Sequence, residues 1–188
     1  MDGSDPLIKK LYEVETPAYV ISTQLLRKNL TILNRVQKEA GCKIILALKG
    51  FATHSTFPVV REYLPGTTAS SLNEARLGFE KFGGEVHVYA TAYKDSEIEE
   101  YLKYANHITF NSFSQWRKFR DRVKAYPKHV ECAIRINPEY AEVKYPIYNP
   151  CYKHSRLGVT LREFEEENME GISGLHFHTH CGSNSDTL

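Results

Sequence analysis

Lys49 is the residue of this sequence with the clearest chemical potential. It follows a short apolar run, residues 44–48, and precedes Gly50. A short apolar run ending at glycine predicts a strand buried on both faces. A lysine at the carboxyl end of such a strand is partly desolvated, which favours the neutral amine and a Schiff base with an aldehyde. The alternative is a lysine with a buried stem and an ammonium group in water.

Further candidate groups follow later apolar segments. Glu74 comes just after residues 67–71, Arg135 lies in residues 132–137, and His176 and His178 lie in the segment that leads to His180. The carboxyl ends of parallel strands meet at one rim. A lysine, an arginine, a histidine and a carboxylate on that rim suit a phosphate-bearing carbonyl cofactor, which describes pyridoxal phosphate.

Each of these groups also has a purely structural interpretation. Ser71 and Glu74 form a Ser-x-x-Glu capping box, which stabilises a helix start without any chemistry. Arg135 could pair with a carboxylate of the acidic segment 161–168. We interpret His176 and His178 as pointing to opposite faces of their strand, so that at most one of them faces the rim.

The elements that must position these groups alternate between strand and helix. We predict strands over residues 16–21, 43–49, 67–71, 85–90, 107–111, 130–137 and 172–178. A helix capped by Ser22 or Thr23 is predicted to end at Gly41, and a short helix is predicted to end at residue 63. Further helices are predicted over residues 72–82, 95–104 and 161–168, and from Ser112 or Ser114 to about residue 125, with a long irregular loop over 139–158. Such alternation is typical of βαβ units and a parallel sheet.

These units predict an α/β fold that is part of a (β/α)8 TIM barrel. No glycine-rich fingerprint follows the first strand, which disfavours a dinucleotide-binding domain. Six barrel units begin with the Lys49 strand, whereas a closed barrel has eight and spans about 250 residues. We therefore expect a polar segment over residues 1–15 and an incomplete barrel domain over residues 16–188, truncated at its C-terminus.

Composition narrows the classes of partner. The 188 residues are 41% hydrophobic and 25% charged, with a formal net charge of +1, so no nucleic-acid footprint is expected. No apolar run could span a bilayer, and the first residues do not resemble a secretory signal. The four cysteines form no Cys-x-x-Cys pair. We therefore expect reduced thiols, a cytoplasmic location and no metal site.

Several ordered motifs resemble the fold-type III pyridoxal-phosphate decarboxylases of the alanine racemase-like barrel group, which includes ornithine, arginine and diaminopimelate decarboxylases. The motifs are residues 45–50, Ser71-x-x-Glu74, Arg135-Ile136-Asn137-Pro138, Ser155-Arg156-Leu157-Gly158-Val159 and Gly174-Leu175-His176-Phe177-His178. Within this group, Tyr148-Asn149-Pro150-Cys151 and Leu175-His176-Phe177-His178-Thr179-x-Cys181 most resemble the carboxynorspermidine decarboxylases, which also accept carboxyspermidine.

The resemblance implies specific roles. Lys49 is the residue that binds pyridoxal phosphate covalently, His178 stacks on its ring, Arg135 approaches its phenolic oxygen and Glu74 supports the site. Lys49 and His178 are thus the predicted catalytic residues.

One departure from the family pattern leaves two positions open. Relatives have Gly-Ser soon after the stacking histidine, whereas Thr179-His180-Cys181 precedes Gly182-Ser183 here. His180 is therefore an alternative to His178, and a phosphate role of Ser183 stays open.

The resemblance also implies a function. It predicts decarboxylation of a carboxylated polyamine, a homodimeric full-length enzyme, and a C-terminal β-domain absent from this chain, which alone is then expected to be inactive. The alternatives are a diaminopimelate-type decarboxylase, a non-catalytic pyridoxal-phosphate-binding barrel, and a regulatory homologue that binds a decarboxylase subunit without cofactor.

Overall fold

The structure is a computed structural model that describes residues 10–143, 145–180 and 182. Most of the polar segment predicted for residues 1–15 therefore lies outside the described residues. Cys181 and Ser183 also lie outside them.

Six parallel strands form one sheet, and their order in the sheet is their order along the chain. They are β1 (Leu46–Ala47), β2 (Gly66–Ala69), β3 (Glu85–Tyr89), β4 (His107–Phe110), β5 (Glu131–Arg135) and β6 (Gly174–His176). A doubly wound sheet reverses its strand order at a switch point, whereas a barrel adds each strand beside the previous one. The sequential order confirms the predicted barrel-type arrangement.

Helices precede β1 and connect β1 to β5. They are α1 (Thr23–Ala40), α2 (Phe57–Val60), α3 (Leu72–Leu77), α4 (Ile98–Tyr104) and α5 (Phe113–Ala125). Helix α1 has the predicted bounds: Ser22 Oγ accepts a hydrogen bond from the Leu25 amide, and Gly41 ends the helix with a left-handed φ of 64°. A wide π turn, Gly78–Phe82, continues α3 to Gly83.

The core lies between the sheet and the helices that cover its outer face. Phe110 of β4 packs against Trp116 and Phe119 of α5, with ring centroids 5.4 and 6.3 Å apart. A second cluster surrounds Leu48, the residue before Lys49, and its members are Leu30, Leu48, Phe57, Val60, Leu64 and Phe82. The burial of Leu48 anchors the chain where Lys49 leaves the sheet.

Several predicted elements are wrong or too long. The strands predicted over 130–137 and 172–178 cover only Glu131–Arg135 and Gly174–His176, and the helix predicted over 95–104 begins at Ile98. Residues 16–21 form no strand. Strand β1 covers only two residues, because the amides of Gly50 and Phe51 both donate to the Ala47 carbonyl and turn the chain. The predicted helix over 161–168 consists of two 3-10 turns, Leu161–Glu163 and Glu166–Asn168.

The interruption between these two turns follows from side-chain contacts. Phe164 packs edge-on against Phe113 with centroids 5.4 Å apart, and Glu165 forms an ion pair with Arg117. Both contacts are made to α5, so the segment follows the surface of α5 instead of its own helical period.

Candidate active site

A cleft with a volume of about 620 Å³ lies at the carboxyl ends of the strands. Its lining comes from five of the six strands and from the long loop, and it includes Lys49, Thr68, Ser70, Tyr89, Arg135, Ile147, Tyr148, Asn149, Pro150, Leu157, His176 and His178. No described residue of this lining is acidic. The cleft therefore gathers positive charge at the end of the sheet where barrel enzymes bind their ligands.

Lys49 lines the cleft from the turn after β1. The Leu48 amide still donates to the Thr68 carbonyl, 3.1 Å away, so pairing with β2 extends up to the lysine. The expectation that Lys49 is partly desolvated is wrong, because the residue is exposed. The short β1 turns away before it can bury the side chain, which leaves the amine accessible from solvent.

Arg135 is the buried cation of the cleft, with only 5% of its surface exposed. Its guanidinium carbon lies 4.7 Å from the centre of the Tyr89 ring, a cation–π distance. Its Nε is buried and has no hydrogen-bond partner among the described residues. A buried unsatisfied donor is costly, so this group is suited to an acceptor supplied by a ligand.

His176 and His178 both line the cleft, so the prediction that they point to opposite faces is wrong. Residues two apart in an extended strand share a face. The residues that alternate with them point outward: Leu175 is 54% exposed and Phe177 is 49% exposed.

Both imidazoles are held neutral by their surroundings. Burial, and then the nearby Arg135 charge, lowers the pKa of His176 to about 4. Burial, and then Lys49 and Arg135, lowers the pKa of His178. Neutral rings here avoid adding charge beside the two cations. The His176 ring stacks on Tyr89 with centroids 5.0 Å apart, and His176 Nδ1 is buried without a partner among the described residues.

His180 is separate from the cleft. Its ring lies 6.4 Å from that of Tyr140, and it does not contribute to the cleft lining. Of the two histidines left open by the sequence, His178 is therefore the one that the fold brings to Lys49 and Arg135.

Glu74 has the structural role that its spacing predicts. The Glu74 amide donates to Ser71 Oγ, and Glu74 Oε2 accepts from the Ser70 amide at 2.6 Å. Glu74 is not part of the cleft lining, whereas Ser70 is. Its carboxylate thus fixes the backbone of a lining residue, which is the supporting position that the resemblance implies.

Asn111 and Tyr89 are site residues that the sequence analysis missed. The Tyr89 hydroxyl and the Gly158 amide both donate to Asn111 Oδ1, at 2.8 and 2.9 Å, while Asn111 Nδ2 donates to the Arg156 carbonyl. Asn111 thereby ties the 155–159 motif to the ring that faces Arg135. No spacing pattern marks these residues, since their partners are distant in sequence and lie on other strands or in the 155–159 motif.

Gly158 allows the same motif to lie directly against β5. Its φ is +84°, and a Cβ there would lie 2.8 Å from the Ile136 carbonyl carbon and 3.0 Å from Arg135 Cγ. Only glycine meets both requirements without strain. The close approach explains why the motif that resembles the decarboxylases contains this glycine.

Cys151 follows the lining residue Pro150 and is a packed thiol. The residue is buried, its Sγ lies 4.0 Å from the His178 carbonyl oxygen, and its amide donates to Asn149 Oδ1. Burial raises the pKa of its thiol. A protonated, packed thiol positions the backbone next to His178 instead of acting as a nucleophile.

The fold is similar to the barrel domain of the fold-type III pyridoxal-phosphate decarboxylases. The solved structure of Campylobacter jejuni carboxynorspermidine decarboxylase with norspermidine matches this chain with a TM-score of 0.80 at 36% identity, covering 92% of this chain and 43% of that one. Helicobacter pylori diaminopimelate decarboxylase matches with a TM-score of 0.72 at 20% identity, which shows the fold alone.

In sequence, the chain is similar to the carboxynorspermidine/carboxyspermidine decarboxylases. It is 39% identical over 176 residues to that enzyme of Campylobacter jejuni, covering 94% of this chain and 45% of the relative. It is 43% identical over 174 residues to carboxyaminopropylagmatine decarboxylase of Synechocystis sp., covering 93% and 44%. The chain thus spans less than half the length of these relatives. No family model matches it.

Among the described residues, no helix has the length and apolar character needed to cross a membrane.

Proposed function

We propose that this chain forms the pyridoxal-phosphate-binding part of a decarboxylase that acts on carboxylated polyamines such as carboxynorspermidine and carboxyspermidine. The observation that carries the proposal is that Lys49, Arg135 and His178 line one cleft. Relatives of 36% and 39% identity that are named for these two substrates support the substrate class. The same resemblance supports a homodimeric, cytoplasmic full-length enzyme.

The residues present fit pyridoxal phosphate. Arg135 Nε and His176 Nδ1 are buried and have no partner among the described residues, and the phenolic oxygen and phosphate of this cofactor are hydrogen-bonding groups of matching kind. A cleft of about 620 Å³ is in the size range of small-molecule sites. Two cations and no acidic lining residue favour an anionic ligand.

When bound, the cofactor supplies an electron sink for the pair of electrons that remains after CO₂ leaves. The chain's own groups bind and orient. Lys49 Nζ is the amine that binds the aldehyde, and its exposure lets a substrate amine reach the same position. Arg135 holds the phenolic oxygen, and the neutral His178 ring packs against the cofactor ring.

Glu74 acts through Ser70 in this proposal. Its hydrogen bond to the Ser70 amide fixes the end of β2, where Ser70 and Thr68 line the cleft. Holding these atoms in place before the ligand arrives avoids the entropic cost of ordering them later.

A guanidino substrate is the second candidate. The Synechocystis relative, at 43% identity, is named for carboxyaminopropylagmatine, whose agmatine end carries a guanidinium instead of an ammonium group. The reaction at the carboxylated end is the same, so the two candidates differ only in what the far end of the site must recognise.

Cofactor binding is tested on the 188-residue chain. We expect pyridoxal phosphate to give the visible absorbance of a lysine-bound aldehyde, and borohydride reduction to label Lys49 in peptide mapping. Lys49→Ala should remove both signals, while Lys43→Ala, at an exposed lysine outside the cleft, should keep them. Equal labelling of several lysines, or an unchanged signal in Lys49→Ala, would overturn the assignment.

Substrate class is tested by CO₂ release, on this chain and on a complete enzyme that contains it. Carboxynorspermidine and carboxyspermidine should be consumed in preference to diaminopimelate. Faster turnover of carboxyaminopropylagmatine would establish the second candidate. Cofactor binding without turnover of any of these compounds by the complete enzyme would instead indicate a non-catalytic binding protein.

A further inference from the structure

A second group of side chains with chemical potential lies at the opposite, amino end of the sheet. Glu85 and His87 are two residues apart in β3 and therefore share one face of the strand. The parallel register pairs His87 with His107 of β4. Three potential metal ligands are thus presented side by side by two rigid strands, and none of them lines the cleft that contains Lys49.

The geometry of this group is compact. His87 Nε2 lies 3.1 Å from Glu85 Oε2. The two imidazole rings stack with centroids 4.0 Å apart and an interplanar angle of 10°, so one ring must rotate for both rings to direct a nitrogen at the same ion. One ligand atom from each of the three residues lies within 4.8 Å of the others. Both Glu85 and His87 are about 30% exposed at their side chains, so an ion can enter from solvent.

The donor set selects the kind of ion. Two imidazole nitrogens with one carboxylate oxygen suit Zn²⁺ and similar divalent transition metals. Mg²⁺ and Ca²⁺ prefer sites made of oxygen atoms alone, which this group does not offer.

Charged residues around the group affect how tightly it can bind an ion. Lys43 forms an ion pair with Glu85 and would compete with any cation for that carboxylate. Glu131, opposite His107 in the register, adds a second negative charge, and its carboxylate is held by His129 and Ser173. A metal ion must therefore displace Lys43, and removal of Lys43 should make binding tighter.

We propose that Glu85, His87 and His107 bind one divalent transition-metal ion at the amino end of the sheet. The site is independent of the cofactor cleft and of the function proposed for it. The cysteine spacing predicted no metal site. The ligands proposed here come from two strands and are brought together only by the sheet register.

The test is a titration of the chelator-treated 188-residue chain with Co²⁺, followed by its visible absorbance, and with Zn²⁺ by calorimetry. We expect one ion per chain. Loss of one ligand in His87→Ala or His107→Ala should weaken binding at least about tenfold. His54→Ala removes an exposed histidine that is not one of the three proposed ligands, and it should leave binding unchanged.

Lys43→Met is expected to increase metal affinity, a result that partial unfolding of the variant could not produce. It keeps all three ligands and removes the competing ammonium group, so Co²⁺ should bind several-fold more tightly. Binding that is absent in the wild-type chain, unchanged in both histidine variants, or weaker in Lys43→Met would overturn the proposal. Circular dichroism of each variant confirms that the fold is retained.

Discussion

The two ends of the same sheet satisfy their polar groups differently. At the carboxyl end, Lys49 and Arg135 face a cleft without an acidic lining residue, and the Nε of Arg135 is buried without a partner in the described chain. At the amino end, the Glu85 carboxylate is paired with both Lys43 and His87.

This difference separates a site prepared for a ligand from one that is stable without it. An unpaired buried donor destabilises the protein, and a ligand that supplies an acceptor removes this penalty on binding. A paired carboxylate already has its partners, so any ion must exchange with them. The carboxyl end is therefore suited to an anionic cofactor, and the amino end to reversible exchange of cations.

The largest effect is expected for Gly158→Ala at the carboxyl end. The new Cβ meets the Ile136 backbone in a left-handed conformation, and we expect a loss of about 3 kcal/mol or more in the free energy of unfolding. Urea unfolding measures it. Gly41→Ala is the matched control, since Gly41 also has a positive φ but no atom within 4 Å of a Cβ. A similar loss in both variants would contradict the contact with β5.

Asn111→Ala should have the next largest effect. It leaves the Tyr89 hydroxyl and the Gly158 amide without their acceptor, which should cost about 2–3 kcal/mol of stability. Tyr89→Phe removes only one of these hydrogen bonds and should cost about 1 kcal/mol. Both variants are compared by urea unfolding. Pyridoxal phosphate affinity should fall in Asn111→Ala while Co²⁺ affinity at the amino end stays unchanged.

Acid should destabilise the carboxyl end of the sheet through the buried imidazole of His176. The folded pKa of His176 is about 4, below the ordinary value of 6.5, so the unfolded chain binds more protons between these values. Its stability contribution is complete above pH 6.5 and is lost as the pH falls toward 4, by about 1–3 kcal/mol. In His176→Gln, unfolding free energies measured across this range should fall less steeply than in the wild-type chain.

The Glu85 carboxylate at the amino end should lose its contribution to stability at lower pH. Ion pairing with Lys43 and then His87 lowers the pKa of Glu85 below its ordinary value of 4.5, so its contribution persists until the pH falls through the folded value. His54→Gln, at an exposed position, should keep the wild-type profile. A His176→Gln profile that matches the wild type above pH 5 would show that burial does not hold this imidazole neutral.

The smallest effect is expected for Lys43→Met without metal. The lysine side chain is 61% exposed, so its ion pair with Glu85 should contribute less than about 1 kcal/mol. Urea unfolding at low and high salt measures it, and the difference between the variant and the wild type should shrink at high salt. A loss above 2 kcal/mol would mean that the amino end depends on this pair as strongly as the carboxyl end depends on Asn111.

Local signals in the sequence were sufficient for the elements whose contacts are local. Helix α1 begins after Ser22 and ends at Gly41 as its apolar stripe and caps predict. The helix predicted over 161–168 is wrong, because Phe164 and Glu165 are held by contacts with α5.

The site was predictable only in part for the same reason. Lys49, Arg135 and His178 could be placed at strand ends, and the motif resemblance supplied their roles. The hydrogen bonds of Asn111 and the stacking of His87 on His107 depend on the register between strands, which no single stretch of sequence encodes. The error over His176 and His178 was different, since a period of two already places both on one face.

The sequential strand order has a consequence for how the protein is made. Each strand pairs with the strand of the unit before it, so no unit must wait for a distant part of the chain to be synthesised. The sheet can therefore grow by one strand at a time as the chain leaves the ribosome, with each arriving unit covering the edge that the last one left open.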